Sequence, residues 1–133
     1  MRPVVFFFIV LVLLSACHPQ QTNEVSELLL YDNTAGQLSI SPASVPVESL
    51  LRLDYRAVDT VVAMTGEIVG VSMYMGRIPL TFTAQESLHH WQAELFLGAC
   101  SDPKMEWRLV LTVQYEDGDE HMITQTFRSS WQR

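Results

Sequence analysis

Beyond residue 27, the apolar positions of this chain recur mostly at every second residue, and turn-forming residues interrupt them at short, even intervals. Residues 28–31 form a short apolar run ending at Asp32-Asn33. Residues 37–41 follow Gly36 and stop before Pro42. Over 47–57, Val47, Ser49, Leu51, Leu53 and Tyr55 share one face, with Glu48, Arg52, Asp54 and Arg56 mostly on the other. Successive side chains of a strand point to opposite faces, so this alternation predicts a half-buried strand. Residues 65–75 alternate more weakly, with Val69, Val71, Met73 and Met75 in phase, and 78–83 follow Gly76-Arg77. Over 89–97, Trp91, Ala93, Leu95 and Leu97 share a face. Over 105–115, Met105, Trp107, Leu109, Leu111, Val113 and Tyr115 do the same. Gly118 then marks a hairpin turn into 121–127.

These segments amount to seven or eight short strands with no long amphipathic helix, although residues 58–64 leave room for a helical turn. Short strands at this spacing predict an all-β fold, an immunoglobulin-like antiparallel β-sandwich, with a small closed barrel as the alternative. Trp91 and Trp107 are in-phase core candidates.

Residues 4–14 break the pattern with an unbroken apolar run preceded by a single basic side chain, Arg2. The run is far shorter than the roughly 20 residues of a membrane-spanning helix and has the length of a signal-peptide core. Leu14-Ser15-Ala16-Cys17 follows it. That stretch resembles the bacterial lipobox, and the resemblance implies cleavage between Ala16 and Cys17, diacylation of the Cys17 thiol and acylation of the new amino terminus. The expected organisation is a lipoprotein signal peptide over 1–16, a lipidated stalk over 17–26 and a β-sandwich domain over 27–133. The stalk is polar and reads as short and flexible. Several acyl chains at about 0.8 kcal/mol per buried methylene give a durable anchor. In lipoprotein sorting of the enteric kind, Asp after the cysteine favours inner-membrane retention. His18 stands there, which points to the outer membrane, with the domain facing the periplasm.

Of the 133 residues, 117 remain once a leader of 16 is removed, enough for one domain with a core of its own. Loss of Arg2 leaves seven basic and fifteen acidic side chains, a net charge of −8. An acidic surface of that size argues against nucleic acid as a partner and against electrostatic docking to anionic lipid. The one acidic cluster, Glu116-Asp117 and Asp119-Glu120 about Gly118, reads as a solvated turn. With Cys17 lipidated, Cys100 has no partner in the chain. It is then either a small buried hydrophobe, a soft-metal ligand or half of an intermolecular disulfide.

No catalytic motif is present: there is no nucleophile elbow, zinc-protease helix motif or phosphate-cradling glycine loop. The chain reads as a non-enzyme. Sulfur is better represented. Met73-Tyr74-Met75 places two thioethers at i and i+2, on one face of the expected strand. Cys100 and Met105 follow in a second segment, and His121-Met122 opens the last strand. Thiolate and thioether ligands favour Cu(I). Met73, Met75 and Met105 also lie in phase with apolar neighbours, so core packing is the competing reading. His89-His90 reads as a surface strand cap.

The stretches Met73-Tyr74-Met75-Gly76-Arg77-Ile78-Pro79-Leu80, Trp91-Gln92-Ala93-Glu94-Leu95 and Met105-Glu106-Trp107-Arg108-Leu109 resemble the periplasmic domains of the YtkA and FixH-like families. The resemblance covers roughly residues 65–113. It implies an immunoglobulin-like sandwich and a link to copper handling or cytochrome oxidase assembly. The chain departs from the family pattern at Trp91, where Tyr is expected, and at Glu106, where Gly is expected. Cys100 is an addition.

Two functions follow as expectations. In the first, Cys100, Met73, Met75 and Met105 bind Cu(I) at one end of the sandwich, with His121 or Met122 in reserve, and the domain holds or passes copper to an envelope partner. That requires the sulfurs to converge, at least one of them accessible. In the second, the domain is a metal-free adaptor of an envelope complex, with its sulfurs buried and an apolar patch or strand edge exposed.

Overall fold

The computed structural model describes residues 26–131. The expected signal peptide over 1–16, the expected lipidation site Cys17 and all of the expected stalk but Ser26 lie outside the described residues. Nine strands form: β1 (Leu28–Asn33), β2 (Gly36–Ser41), β3 (Leu51–Ala57), β4 (Val61–Gly70), β5 (Arg77–Thr81), β6 (Thr83–Ala84), β7 (His90–Leu95), β8 (Glu106–Tyr115) and β9 (Glu120–Arg128). They build a sheet of order β1-β2-β3-β7-β6 and a second of order β5-β4-β8-β9. Every strand pair is antiparallel. The all-β sandwich is therefore the architecture that the alternation predicts. β2, β3, β7 and β6 occupy the positions of strands A, B, E and D of an immunoglobulin-type sandwich, and β4, β8 and β9 those of C, F and G. β1 adds a hairpin partner to the edge of β2. A parallel bridge from Pro46 to Ser130 laces the β2–β3 connection onto the end of the second sheet.

The core forms where the inward faces meet. Leu38, Ile40 and Leu53 from one sheet pack with Ile68, Leu109 and Leu111 from the other, all fully buried. Trp91 and Trp107 are both buried, as their phase requires. Trp107 Nε1–H donates to the buried Ser129 Oγ at 2.9 Å, and Trp91 Nε1–H donates to the Leu88 carbonyl at 3.0 Å, so neither indole leaves a polar group unpaired.

The two sheets are also joined by a buried hydroxyl pair, Tyr55 on β3 and Tyr115 on β8, at 2.9 Å. Gly36 makes room for it: a Cβ there would stand 2.9 Å from the Tyr55 hydroxyl and 2.6 Å from the Arg56 carbonyl oxygen. Burial, then the Tyr115 hydroxyl, holds the Tyr55 phenol protonated well above the ordinary tyrosine range. The folded pKa is raised, so the native state keeps a proton that the unfolded chain gives up. The Tyr55 contribution to stability is complete below a pH of about 10 and is lost as pH climbs above it. Alkaline titration is expected to release the Tyr55 tyrosinate absorbance only with loss of the β-sheet circular dichroism signal. Tyr55→Phe should flatten the alkaline fall in stability.

Four sequence expectations change. Residues 58–64 hold no helical turn, because β4 already begins at Val61. A register shift between Val61 and Ala63 turns Val61 and Met64 both inward, and that spacing of three imitates a helix. Residues 65–75 are not one strand. β4 ends at Gly70, opposite Trp107, and 71–76 form a loop fastened by Val71 N–H to the Glu106 carbonyl and by Glu106 N–H to Ser72 Oγ. The strand expected over 47–57 starts only at Leu51, because Val45 and Glu48 adopt positive φ (45° and 54°), incompatible with extended backbone. The segment 78–83 is divided at the buried Phe82, where the chain passes from the second sheet to the first.

Candidate metal centre

One end of the sandwich gathers the sulfur. Here β4 ends, β8 begins and the β7–β8 connection turns. Cys100 lies in that connection, half-buried, and its thiol donates to Met105 Sδ at 3.1 Å and to the Asp102 carbonyl at 3.4 Å. Met105, immediately before β8, is 1% exposed. Four residues separate the two, and the turn through Ser101-Asp102-Pro103-Lys104 closes them together. Lys104 N–H donates to Asp102 Oδ1 at 2.9 Å and fixes the turn.

The 71–76 loop brings the other two methionines to the same end. The Met75 methyl stands 3.7 Å from the place of a Cβ on Gly98, against the Cys100 connection. Met73 approaches through its backbone: a Cβ on Gly70 would overlap both the Met73 carbonyl oxygen and the Met105 methyl. Met73 and Met75 are 42% and 37% exposed and so do not pack in the core, whereas Met105 belongs to the core cluster and meets Cys100 through its sulfur. Cys100 and Met105 thus form a direct pair, with the Met75 methyl against the same connection and Met73 near only through its backbone.

His121 and Met122 do not belong to this group. They pair with Val113 and Thr112 on β8, six or more residues from Glu106, or about 20 Å along the strand. The His121 ring packs edge-on against Tyr115, with centroids 5.1 Å apart, and Met122 lies exposed on the outer face of the second sheet. Among the described residues, no three His, Cys, Asp or Glu side chains are placed to hold a metal. A soft ion at the Cys100 end would therefore rest on thioethers beside one thiolate. Two such donors already at contact distance are chemistry suited to Cu(I).

Gly70 fixes this geometry. Gly70→Ala forces the 71–76 loop or Met105 to move, because a backbone carbonyl is one of the two obstacles. We expect a loss of about 1–3 kcal/mol in unfolding free energy. The same substitution should weaken metal binding, read by denaturant titration with and without Cu(I).

A second polar group escaped the pattern. Asp54 on β3 is only 7% exposed although its neighbours Leu53 and Tyr55 face the core. Its Oδ1 accepts from His90 Nε2 at 2.6 Å and Gln92 Nε2 at 2.7 Å across the β3–β7 ladder, on the outer face of the sheet. His90 is thus part of β7 rather than a cap, while His89 is exposed in the preceding turn. Periodicity marks Asp54 as outward but cannot show that two facing side chains cover it.

No family model matches the chain, and no curated protein matches it. A solved structure of a DUF4426 family protein from Pseudomonas aeruginosa is similar at 12% identity and a TM-score of 0.49, the match covering 80% of this chain and 97% of that one. Likeness at that level carries neither an activity nor a ligand from one protein to the other.

Proposed function

We propose that this chain is a lipid-anchored protein of the bacterial cell envelope, periplasm-facing and carried by the outer rather than the inner membrane. Its sandwich domain binds Cu(I) on Cys100, Met105 and Met75, with Met73 at the rim. It is not an enzyme; it holds copper or passes it to an envelope partner. The anchor rests on the apolar 4–14 run and the lipobox-like Leu14-Ser15-Ala16-Cys17. The observation that carries the copper reading is the 3.1 Å approach of Cys100 Sγ to Met105 Sδ beside two exposed methionines. One close sulfur pair and two accessible thioethers at the same end support a soft-metal reading. The resemblance read over residues 65–113 to YtkA and FixH-like domains points the same way, although no family model matches the chain.

The test is a Cu(I) competition titration of residues 18–133 against a chromophoric chelator. One-to-one binding is expected, weakened at least about tenfold when Met73 and Met75 are both replaced by Leu. No binding, or binding indifferent to that change, would leave the metal-free adaptor. That second reading has its own support in the edge strand β1, where Leu28 and Leu29 are exposed beside unpaired backbone.

A further inference from the structure

Of the exposed large apolar side chains, Val58, Val62 and Leu88 lie toward the far end and Met122 on the outer face of the second sheet, while a larger group gathers elsewhere. Leu50, Met73, Tyr74, Met75, Phe96 and Trp131 are all exposed, and all lie at the end that carries Cys100. They come from four separate parts of the chain: the β2–β3 connection, the 71–76 loop, the β7–β8 connection and the segment after β9. Backbone bonds lace these parts together, Glu48 N–H to the Leu97 carbonyl and Val47 N–H to the Ser130 carbonyl. A shallow groove lined by Val47, Glu48, Ala99 and Trp131 opens among them.

The described chain also begins at this end. Ala43 N–H donates to the Ser26 carbonyl at 2.7 Å, and β1 starts opposite Ile40, near the end of β2. The ten residues from Cys17 to Ser26 reach at most about 35 Å even when extended. An anchor on Cys17 therefore joins the domain at its apolar end. Charge follows the same axis. The far end presents Asp59, Glu116, Asp117 and Asp119, whereas the loops of the anchor end mix Glu48 and Asp102 with Lys104, the single lysine of the chain. An anionic bilayer repels the acidic end more strongly than the other.

We infer that the Leu50–Tyr74–Phe96–Trp131 end rests in the bilayer interface, with the sulfur cluster at the membrane surface and the acidic turn pointing away. Tryptophan and tyrosine favour that layer because it receives an apolar ring and a polar tip together. The inference rests on the lipid-anchor part of the proposed function and not on copper. A metal held there would meet a membrane-embedded partner rather than a soluble one.

The test uses the full chain produced in a bacterium that processes lipoproteins. Its intact mass is measured, and it is placed in phosphatidylethanolamine–phosphatidylglycerol vesicles brominated high on the acyl chains. Trp91 and Trp107 are buried, so the emission removed by Trp131→Phe reports the anchor end. Val58→Trp in the Trp131→Phe background reports the far end, where Val58 is exposed. A lipidated chain whose Trp131 emission is lost to bromine, while the Val58→Trp emission is kept, is the expected result. A lipidated chain with Trp131 unquenched, or with both ends quenched alike, overturns the inference while the anchor stands, and leaves this end to a protein partner. An unlipidated chain that stays in solution removes the anchor, and the inference with it.

Discussion

Trp107→Ala is expected to lower the unfolding free energy of the domain by about 3–5 kcal/mol, the range for removing a buried tryptophan. A domain of this size is stable by about 5–15 kcal/mol, so the change takes a large share of the total. Trp107 is 1% exposed, lies opposite Gly70 on β4 and Phe127 on β9, and closes the core just behind Met105. Its removal opens a cavity and strips the buried Ser129 Oγ of its indole donor at 2.9 Å. Trp107→Phe separates the two effects: it keeps most of the ring and forfeits the hydrogen bond, at about 1–3 kcal/mol. Denaturant unfolding followed by circular dichroism measures both. A fall below about 1 kcal/mol for the alanine variant would mean that Trp107 is not a core residue.

The second large effect is on metal. Cys100→Ala is expected to weaken Cu(I) binding by more than about 100-fold, beyond the 10–100-fold lost with a merely supporting partner. The thiol is the one donor of the group that can carry a negative charge, so it sets the affinity for a cation. The cost in stability should stay small, because Cys100 is half-buried and its closest partner, Met105, keeps its own packing. Large loss of binding with little loss of stability separates a metal site from a structural cysteine. An adaptor would show a small packing loss alone.

The strands that bury one whole face were legible from the chain. From Trp107 to Tyr115 on β8 every second residue is inward, and the sequence shows it because nothing interrupts the pleat. Where the backbone departs from the pleat, the pattern misleads. The register shift at Val61–Ala63 turns a strand into an apparent helical spacing, and Glu48 in positive φ ends an alternation that the side chains alone would continue. Met73 and Met75 kept their phase past Gly70, but β8 begins at Glu106 and offers no partner strand beyond it. They became loop residues, and exposed.

The candidate site was legible in its ingredients and only partly in its assembly. Cys100 and Met105 are close in sequence, so a turn suffices to join them. Placing Met75 beside them needs the β4–β5 loop to lean on Gly98, a contact with no local signature. His121 and Met122 share the chemistry but fall toward the opposite end of an antiparallel ladder, and only the register shows that. The apolar rim was invisible for the same reason, since its side chains come from four distant segments, three of which supply one each.

Sulfur, and sulfur alone, is expected to bind copper at the Cys100 end. Copper K-edge X-ray absorption on the Cu(I)-loaded domain reads the ligand atoms themselves. The expected spectrum shows a shell of sulfur neighbours without imidazole nitrogen, losing its shortest sulfur in Cys100→Ala. A shell containing histidine nitrogen, or a domain that retains no copper through desalting, would contradict it.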